Sequence, residues 1–402
     1  MISSKYFLEK VKDVKISDIK AILPMLIAKV VSPLYKKKYE NYWLICEEPY
    51  EARDNGFYFF EYLRKKQPQQ KCVYAIKENS VDFDKVKSLG ETVQYGSLKH
   101  WILYFTAKYN ISSQKGGKPN AALCSFFELN NIFKPNNIFL QHGITINNVK
   151  WLYSNCSKIN RFITSTTDEY NFIKQNFGYA DDVVLLTGFP RFDGLHDRKE
   201  VNNRVLIMPT WRYWFNLNSK KLHNQDDNIS TSQYMKCWKE LLCSSELKYL
   251  VEKYNLGIIF YPHRNMQRYL EAFKDVPRYI TIASWEKYDI RDLLKSSKLM
   301  ITDYSSVFFD MVYMKKPVIF YQFDKEKYRK YQYGEGYFDY DNNKFGCSYT
   351  RSEDVVRELE YFVENKYHVS EEYINEHDRI FKYYDTNNSM RIYNLLRDEG
   401  SV

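Results

Sequence analysis

Two histidines in this chain stand where a parallel α/β sheet would present them to a ligand. His142 closes the apolar run Asn-Ile-Phe-Leu-Gln and precedes Gly143, and His263 follows Ile-Ile-Phe-Tyr-Pro and precedes Arg264. Ligands of doubly wound sheets bind at the carboxyl ends of strands, and an imidazole with a pKa near ~6.5 can take a proton from a hydroxyl at neutral pH. A third group is the turn Thr302-Asp303-Tyr304-Ser305-Ser306, between a short strand, Leu299 to Ile301, and an apolar helix. Hydroxyls and backbone N–H groups at the start of a helix form a phosphate site. One such side chain would suffice as a cap, and this turn has more than one. Arg212, in Pro209-Thr210-Trp211-Arg212 after the strand Arg204 to Met208, and Arg264 supply positive charge at equivalent strand ends. Together these residues point to transfer of a phosphate-bearing group. Asp303 would repel a pyrophosphate and fits better as a helix cap or as the residue that orients His263. His100, His196, His223, His368 and His377 lack the strand-end position and read as structural or surface residues.

Elements of the right kind surround these groups. From Tyr42 onward, short apolar runs (43–48, 72–77, 91–96, 109–114, 137–143, 161–166 and 183–186) alternate with amphipathic stretches such as Gly56 to Lys66, Ser97 to Lys108 and Thr167 to Phe177. That alternation predicts a parallel sheet with helices on both faces. A second α/β unit begins at Arg204 and includes a helix over Gln233 to Leu250, a strand over Leu256 to Tyr261, a helix over Asp289 to Lys295 and a strand over Pro317 to Tyr321. A polar loop spans Asn216 to Thr231. The division expected is a basic segment over 1–38, a first Rossmann-like domain over 39–195 for the acceptor, and a second over 196–402 for the donor. Two such domains facing a cleft make a GT-B-like architecture.

With 402 residues and an aromatic share of 17%, the chain can fill two cores. Its formal charge of +9 calls for anionic partners. No RNA- or DNA-binding motif accompanies that charge, so nucleic acid is not expected. The seven cysteines are scattered without a CxxC pair, which suits a reduced, cytoplasmic chain and gives no structural zinc site. Asp82-Phe83-Asp84 and Asp339-Tyr340-Asp341 have DxD spacing but read as solvated loop or helix-start residues, so no metal is expected. The mean hydropathy of -0.57 argues against an integral membrane protein. Residues 5 to 38 interleave lysines with Leu8, Val11, Ile16, Ile19, Leu23, Leu26 and Ile27. Such a helix suits an anionic membrane surface, and equally a surface helix packed on its own domain.

Several stretches, in order, carry a resemblance: EARDNGFYFFEYL, GSLKHW with ISSQ, QHG, TGFPRFD, PTWR, YPHR, ITDYSS, GYFDYD and the closing DTNNSMR. This series resembles the CDP-glycerol glycerophosphotransferases, which build teichoic acids and related capsular polymers. Gln141-His142-Gly143-Ile144-Thr145 is similar to the capsule-associated branch. The resemblance implies a GT-B fold, CDP-glycerol as donor with no further cofactor, a polysaccharide or lipid-linked polymer acceptor, CMP as leaving group, and peripheral attachment to the inner face of the cell membrane. By position it makes His142 the base. His263, Arg212, Arg264, Thr302, Ser305 and Ser306 are then set on the donor phosphates, with Gly143, Pro209, Thr210 and Asp303 in support. A CDP-ribitol donor or a nucleotide sugar fits the same motifs, and a non-catalytic binder of anionic polymer fits the charge.

Overall fold

The computed structural model describes residues 15–197, 202–215 and 229–399, and it contains two all-parallel sheets. The first comprises β1 (Trp43–Cys46), β2 (Cys72–Ile76), β3 (Thr92–Gln94), β4 (Tyr109–Ser112), β5 (Asn137–Phe139), β6 (Arg161–Thr164) and β7 (Val184–Leu186), in the order β3-β2-β1-β4-β5-β6-β7. The second comprises β8 (Arg204–Met208), β9 (Gly257–Phe260), β10 (Ile280–Ile282), β11 (Leu299–Thr302), β12 (Val318–Tyr321) and β13 (Ser348–Tyr349), in the order β10-β9-β8-β11-β12-β13. β1, β2 and β4 are buried along their whole length, as strands covered on both faces must be. In the second sheet the order reverses between β8 and β11, so the turns that follow these two strands flank the crevice where such folds bind ligands.

The first unit carries α1 (Ile16–Tyr39), α2 (Asn55–Lys66), α3 (Phe83–Leu89), α4 (Leu98–Thr106), α5 (Ala121–Leu129) and α6 (Thr167–Asn176). The second carries α7 (Gln233–Leu242), α8 (Ser245–Tyr254), α9 (Ile290–Ser296), α10 (Phe308–Tyr313), α11 (Lys325–Tyr331) and α12 (Ser352–Glu364). The single helix expected over 233–250 is two, because the Ser244 hydroxyl accepts from Leu247 N–H and starts a new helix. After α12 the chain returns to the first unit through α13 (Glu371–Ile380) and α14 (Asn388–Asp398). Arg379 grips Asp168 with two bonds of 2.8 and 2.6 Å, and Tyr393 of α14 packs on Trp43 of β1 at 5.7 Å. The Asp193 carboxylate accepts from Asn388 N–H and Ser389 N–H and so caps α14. Gly188, at φ 80°, passes so close to Asn388 that a Cβ would lie 1.9 Å from its Oδ1. The closing motif of the sequence is therefore a clasp between the units.

α1 has two different faces. Met25 and Ala28 are buried with Trp101, Ile102 and Leu103 of α4 in one apolar cluster, Asp18 accepts from Asn120 Nδ2 at 2.8 Å, and Lys36 Nζ donates to Thr106 O. The opposite face exposes Ile16, Ile19, Leu23, Leu26, Val30 and Leu34, the last two at 77% and 83%. Lys5, Leu8 and Val11, most of the polar segment 216–231 and His223 lie outside the described residues. No helix among the described residues is long and apolar enough to cross a membrane.

Candidate active site

The first unit's contribution is the turn that follows β5. Gln141 has φ +59°, an uncommon conformation for a residue with a side chain, and its surroundings hold it there. Asn55 Nδ2 donates to its carbonyl at 2.7 Å, and its own amide donates to Ile163 O at 2.6 Å and to Glu169 Oε1 at 3.0 Å. Glu169 also accepts from Thr145 N–H at 2.6 Å and Ser165 N–H at 2.8 Å. The clamped turn leaves the next side chain, His142, open to solvent. The protein crowding His142 lowers its pKa, an effect that Arg191 reinforces and the Asp54 carboxylate opposes. His142 is therefore neutral at pH 7 and able to accept a proton.

The second unit's contribution begins where β8 and β11 end side by side, with Thr302 paired to Met208. Here the structure corrects three expectations. Thr302 is fully buried and its hydroxyl donates to Met208 O at 2.7 Å, so it reaches no ligand. Arg212 is also fully buried. Its Nε and Nη2 donate to Asp324 at 2.7 and 3.0 Å, Nη1 donates to Thr210 O at 2.9 Å, and Nη2 lies 2.8 Å from Asp303 Oδ2. Tyr234, Tyr304 and Tyr328 enclose the guanidinium. With two carboxylates against it and both edges occupied, Arg212 fixes the two turns to one another and has nothing left for a phosphate. Asp303 neither orients His263 nor caps α10; its Oδ1 accepts from Thr210 N–H at 2.8 Å and Tyr304 N–H at 2.7 Å.

His263 lies just beyond β9, its backbone N–H donating to Pro209 O at 3.0 Å. Asn265 N–H donates to His263 Nδ1 at 3.1 Å, which assigns the proton of the neutral ring to Nε2. Burial, helped by the proximity of His142, pushes its pKa down to about 4. A neutral His263 thus offers an Nε2–H donor. Arg264 is partly exposed, stacks over Trp285 at 4.5 Å and faces Glu51 of the first unit. Ser305 is nearly buried, and Ser306 is half-buried at the mouth of the turn. The amides of Phe308 and Phe309 at the head of α10 are already bonded to Ser305 O and Ser306 O.

The two halves meet closely. A Cβ on Gly143 would lie 2.7 Å from Ser306 Oγ, so the glycine beside His142 is what lets the serine turn approach it. His142, His263, Arg264, Ser305 and Ser306 therefore gather about one cleft, while Arg212, Thr302, Thr210, Asp303 and Pro209 are buried in the protein. The expectation that Asp82 is solvated is also corrected: it is buried and holds Arg53 at 2.9 Å. Asp339 is exposed and accepts from Asp341 N–H, while Asp341 pairs with Lys325. No cluster of three or more His, Cys, Asp or Glu that could hold a metal occurs among the described residues.

Sequence reasoning gave Asp54, Arg191 and Asp310 no role, although the first two lie in quoted motifs. Arg191 Nη1 donates to Asp54 Oδ1 at 3.1 Å and to the His142 carbonyl at 2.8 Å, while its Nε and Nη2 clasp Asp310 of α10 at 2.8 and 2.7 Å. The available signal was Asp310 itself, an acid within the apolar run Phe-Phe-Asp-Met-Val-Tyr that needs a buried partner.

Residues 27–398 match the family model of the CDP-glycerol:poly(glycerophosphate) glycerophosphotransferases. The chain belongs to this family. Among its relatives, the minor teichoic acid biosynthesis protein GgaB of Bacillus subtilis is 32% identical, with 96% of this chain and 43% of that protein covered. The teichoic acid poly(glycerol phosphate) polymerase of the same organism is 25% identical over 88% of this chain and 49% of its own length. The ribitol-phosphate polymerase TarK of Staphylococcus aureus is 26% identical over 42% of this chain and 32% of its own length. The chain thus spans less than half the length of each of these relatives. The solved wall teichoic acid polymerase TagF shares the fold at a TM-score of 0.66 with 17% identity, covering 96% of this chain and 98% of that one. The S. aureus MnaA-UDP structure shares it more distantly, at 0.53 with 13% identity and coverage of 90% and 96%. The chain is therefore GT-B-like, with two Rossmann-like domains.

Proposed function

We propose that this chain transfers glycerol phosphate from CDP-glycerol to a hydroxyl of a teichoic-acid-like or capsular polymer and releases CMP. The acceptor oxygen attacks the glycerol-bearing phosphorus, the bond from that phosphorus to the CMP oxygen breaks, and the hydroxyl proton passes to His142. The His263 Nε2–H, the Arg264 guanidinium and the Ser305 and Ser306 hydroxyls hold the two phosphates and meet the charge that develops on the departing CMP. The first domain takes the acceptor and the second the donor. The observation that carries this reading is the apposition of Gly143 and Ser306, which sets a neutral histidine against a hydroxyl-lined turn across the cleft. Similarity to a ribitol-phosphate polymerase favours CDP-ribitol as the second reading of the donor.

The test is CMP release from each CDP-alditol in the presence of a lipid-linked glycerol-phosphate primer, comparing the full chain with His142→Ala. Release from one donor, reduced about 10²-fold or more in the variant, is expected. Undiminished release by His142→Ala removes the base assignment, and consumption of neither donor removes the reaction.

The exposed face of α1 fits peripheral attachment to the inner face of the cell membrane. Its aliphatic residues recur every three or four positions, and Lys36, Lys37 and Lys38 lie in its last turn, where anionic headgroups would meet them.

A further inference from the structure

Arg191 joins three parts of the cleft that are distant in sequence. One nitrogen, Nη1, serves both Asp54 at the head of α2 and the backbone carbonyl of His142. The other edge of the same guanidinium is occupied by both oxygens of Asp310, on the helix that the Ser305-Ser306 turn leads into. The backbone of Arg191 is fixed as well, its N–H donating to Asn55 Oδ1 at 3.1 Å, while Asn55 Nδ2 holds the carbonyls of Leu140 and Gln141. Arg191 is thus 8% exposed, bonded through all three guanidinium nitrogens and shared between the two domains.

We infer that Arg191 is a positioning residue: by bonding the His142 carbonyl and Asp310 at once, it ties the placement of the base to the engagement of the second domain, with Asp54 as its counter-charge. This rests on the reading of His142 as the base. When the domains separate, Asp310 leaves the guanidinium and the His142 turn loses the anchor that aims it at the serine turn. Base and phosphate site are thereby brought into register only in the closed molecule. The device also sets the charge around His142. Three charged groups face that ring, Asp54 at the head of α2, Glu48 from the turn after β1 and Arg191 from the turn after β7, while His263, from the turn after β9, stays neutral beside it. Asp54 and Glu48 favour its protonated form, whereas Arg191 opposes it.

The experiment is a histidine ring titration by NMR of the full chain, with His142→Asn identifying the resonance, together with the pH dependence of CMP release and its kcat and KM for CDP-glycerol. Asp54→Asn should move the His142 midpoint down and Arg191→Gln should move it up. Asp310→Asn, which keeps Arg191 in place and guards against a misfolded arginine variant, should lower kcat about tenfold or more with KM for the donor within about twofold. Equal midpoints in wild type, Asp54→Asn and Arg191→Gln overturn the inference, as does an Asp310→Asn variant with wild-type kcat. The titration needs no turnover. If His142→Ala leaves CMP release intact, the base assignment fails on its own, whatever the ring titration shows.

Discussion

Arg212 and Arg264 end similar turns after neighbouring strands, and the structure divides their roles sharply enough to measure. Arg212→Met keeps most of the side-chain volume but leaves Asp303 and Asp324 facing each other in a site without solvent access. Breaking a buried ion pair by removing one partner costs about 3–5 kcal/mol. Here two carboxylates and the Thr210 carbonyl lose their donor together, which places the variant well inside that range. A cost of about 4 kcal/mol changes the folded-to-unfolded ratio on the order of 10³-fold and, for a domain of this size, lowers Tm by roughly 8–16 °C. The half-exposed Arg264→Met should leave Tm within about 2 °C and weaken donor binding instead. Thermal unfolding followed by circular dichroism, with calorimetric binding of CDP-glycerol, reads both quantities. An Arg212→Met chain that melts with the wild type but has lost donor affinity would falsify the structural assignment.

Three further outcomes are expected. Gly143→Ala should reduce turnover with little change in Tm, because its Cβ meets Ser306 Oγ, whereas the same change in a Ser306→Gly background should cost little relative to Ser306→Gly alone; an equal further loss in that background refutes steric exclusion as the cause. Burial raises Glu47 and Glu169 to about 7, above the ordinary carboxylate value, so their contribution to stability is fully present below about pH 4.5 and is lost as pH rises through 7. Tm should accordingly fall between pH 5.5 and 8, and Glu47→Gln should flatten that slope; an unchanged slope would remove Glu47 from the account. On α1, Val30→Asp with Leu34→Asp should weaken binding to anionic vesicles by about tenfold or more at constant Tm, since both side chains are exposed, and unchanged vesicle binding would leave that face without a lipid role.

The period of the strands was legible from the sequence, and so were the ends that carry His142 and His263, because alternation of short apolar runs with amphipathic stretches is a local property. The strand order was not, since β8 and β11 become neighbours only through a crossover of ninety residues. The same distance hid the difference between the arginines. Arg212 is spent on Asp324 and Asp303, each about a hundred positions away, whereas nothing of comparable sequence separation encloses Arg264 so fully. Thr302 and Ser305 were also indistinguishable as text: Thr302 is the last residue of β11 and turns into the sheet, and Ser305 lies beyond its end. Arg191 and Asp310 could not be recognised as a pair for the same reason. β13, two residues long, carries too few side chains to show a period.

α14 lies some two hundred residues after β7, yet it belongs to the first domain's interior: Tyr393 packs on Trp43, and Tyr109 Oη donates to the Leu396 carbonyl. A ribosome working at ~5–20 residues per second would leave that domain without this wall for ~10–40 s after β7 is made. During that interval Trp43 and Tyr109 are uncovered while the whole second domain emerges, which makes the nascent first domain a client for chaperones and gives the second domain time to form first. Substitutions at the α14 contact should then reduce yield in the cell more than they reduce the melting temperature of the finished molecule.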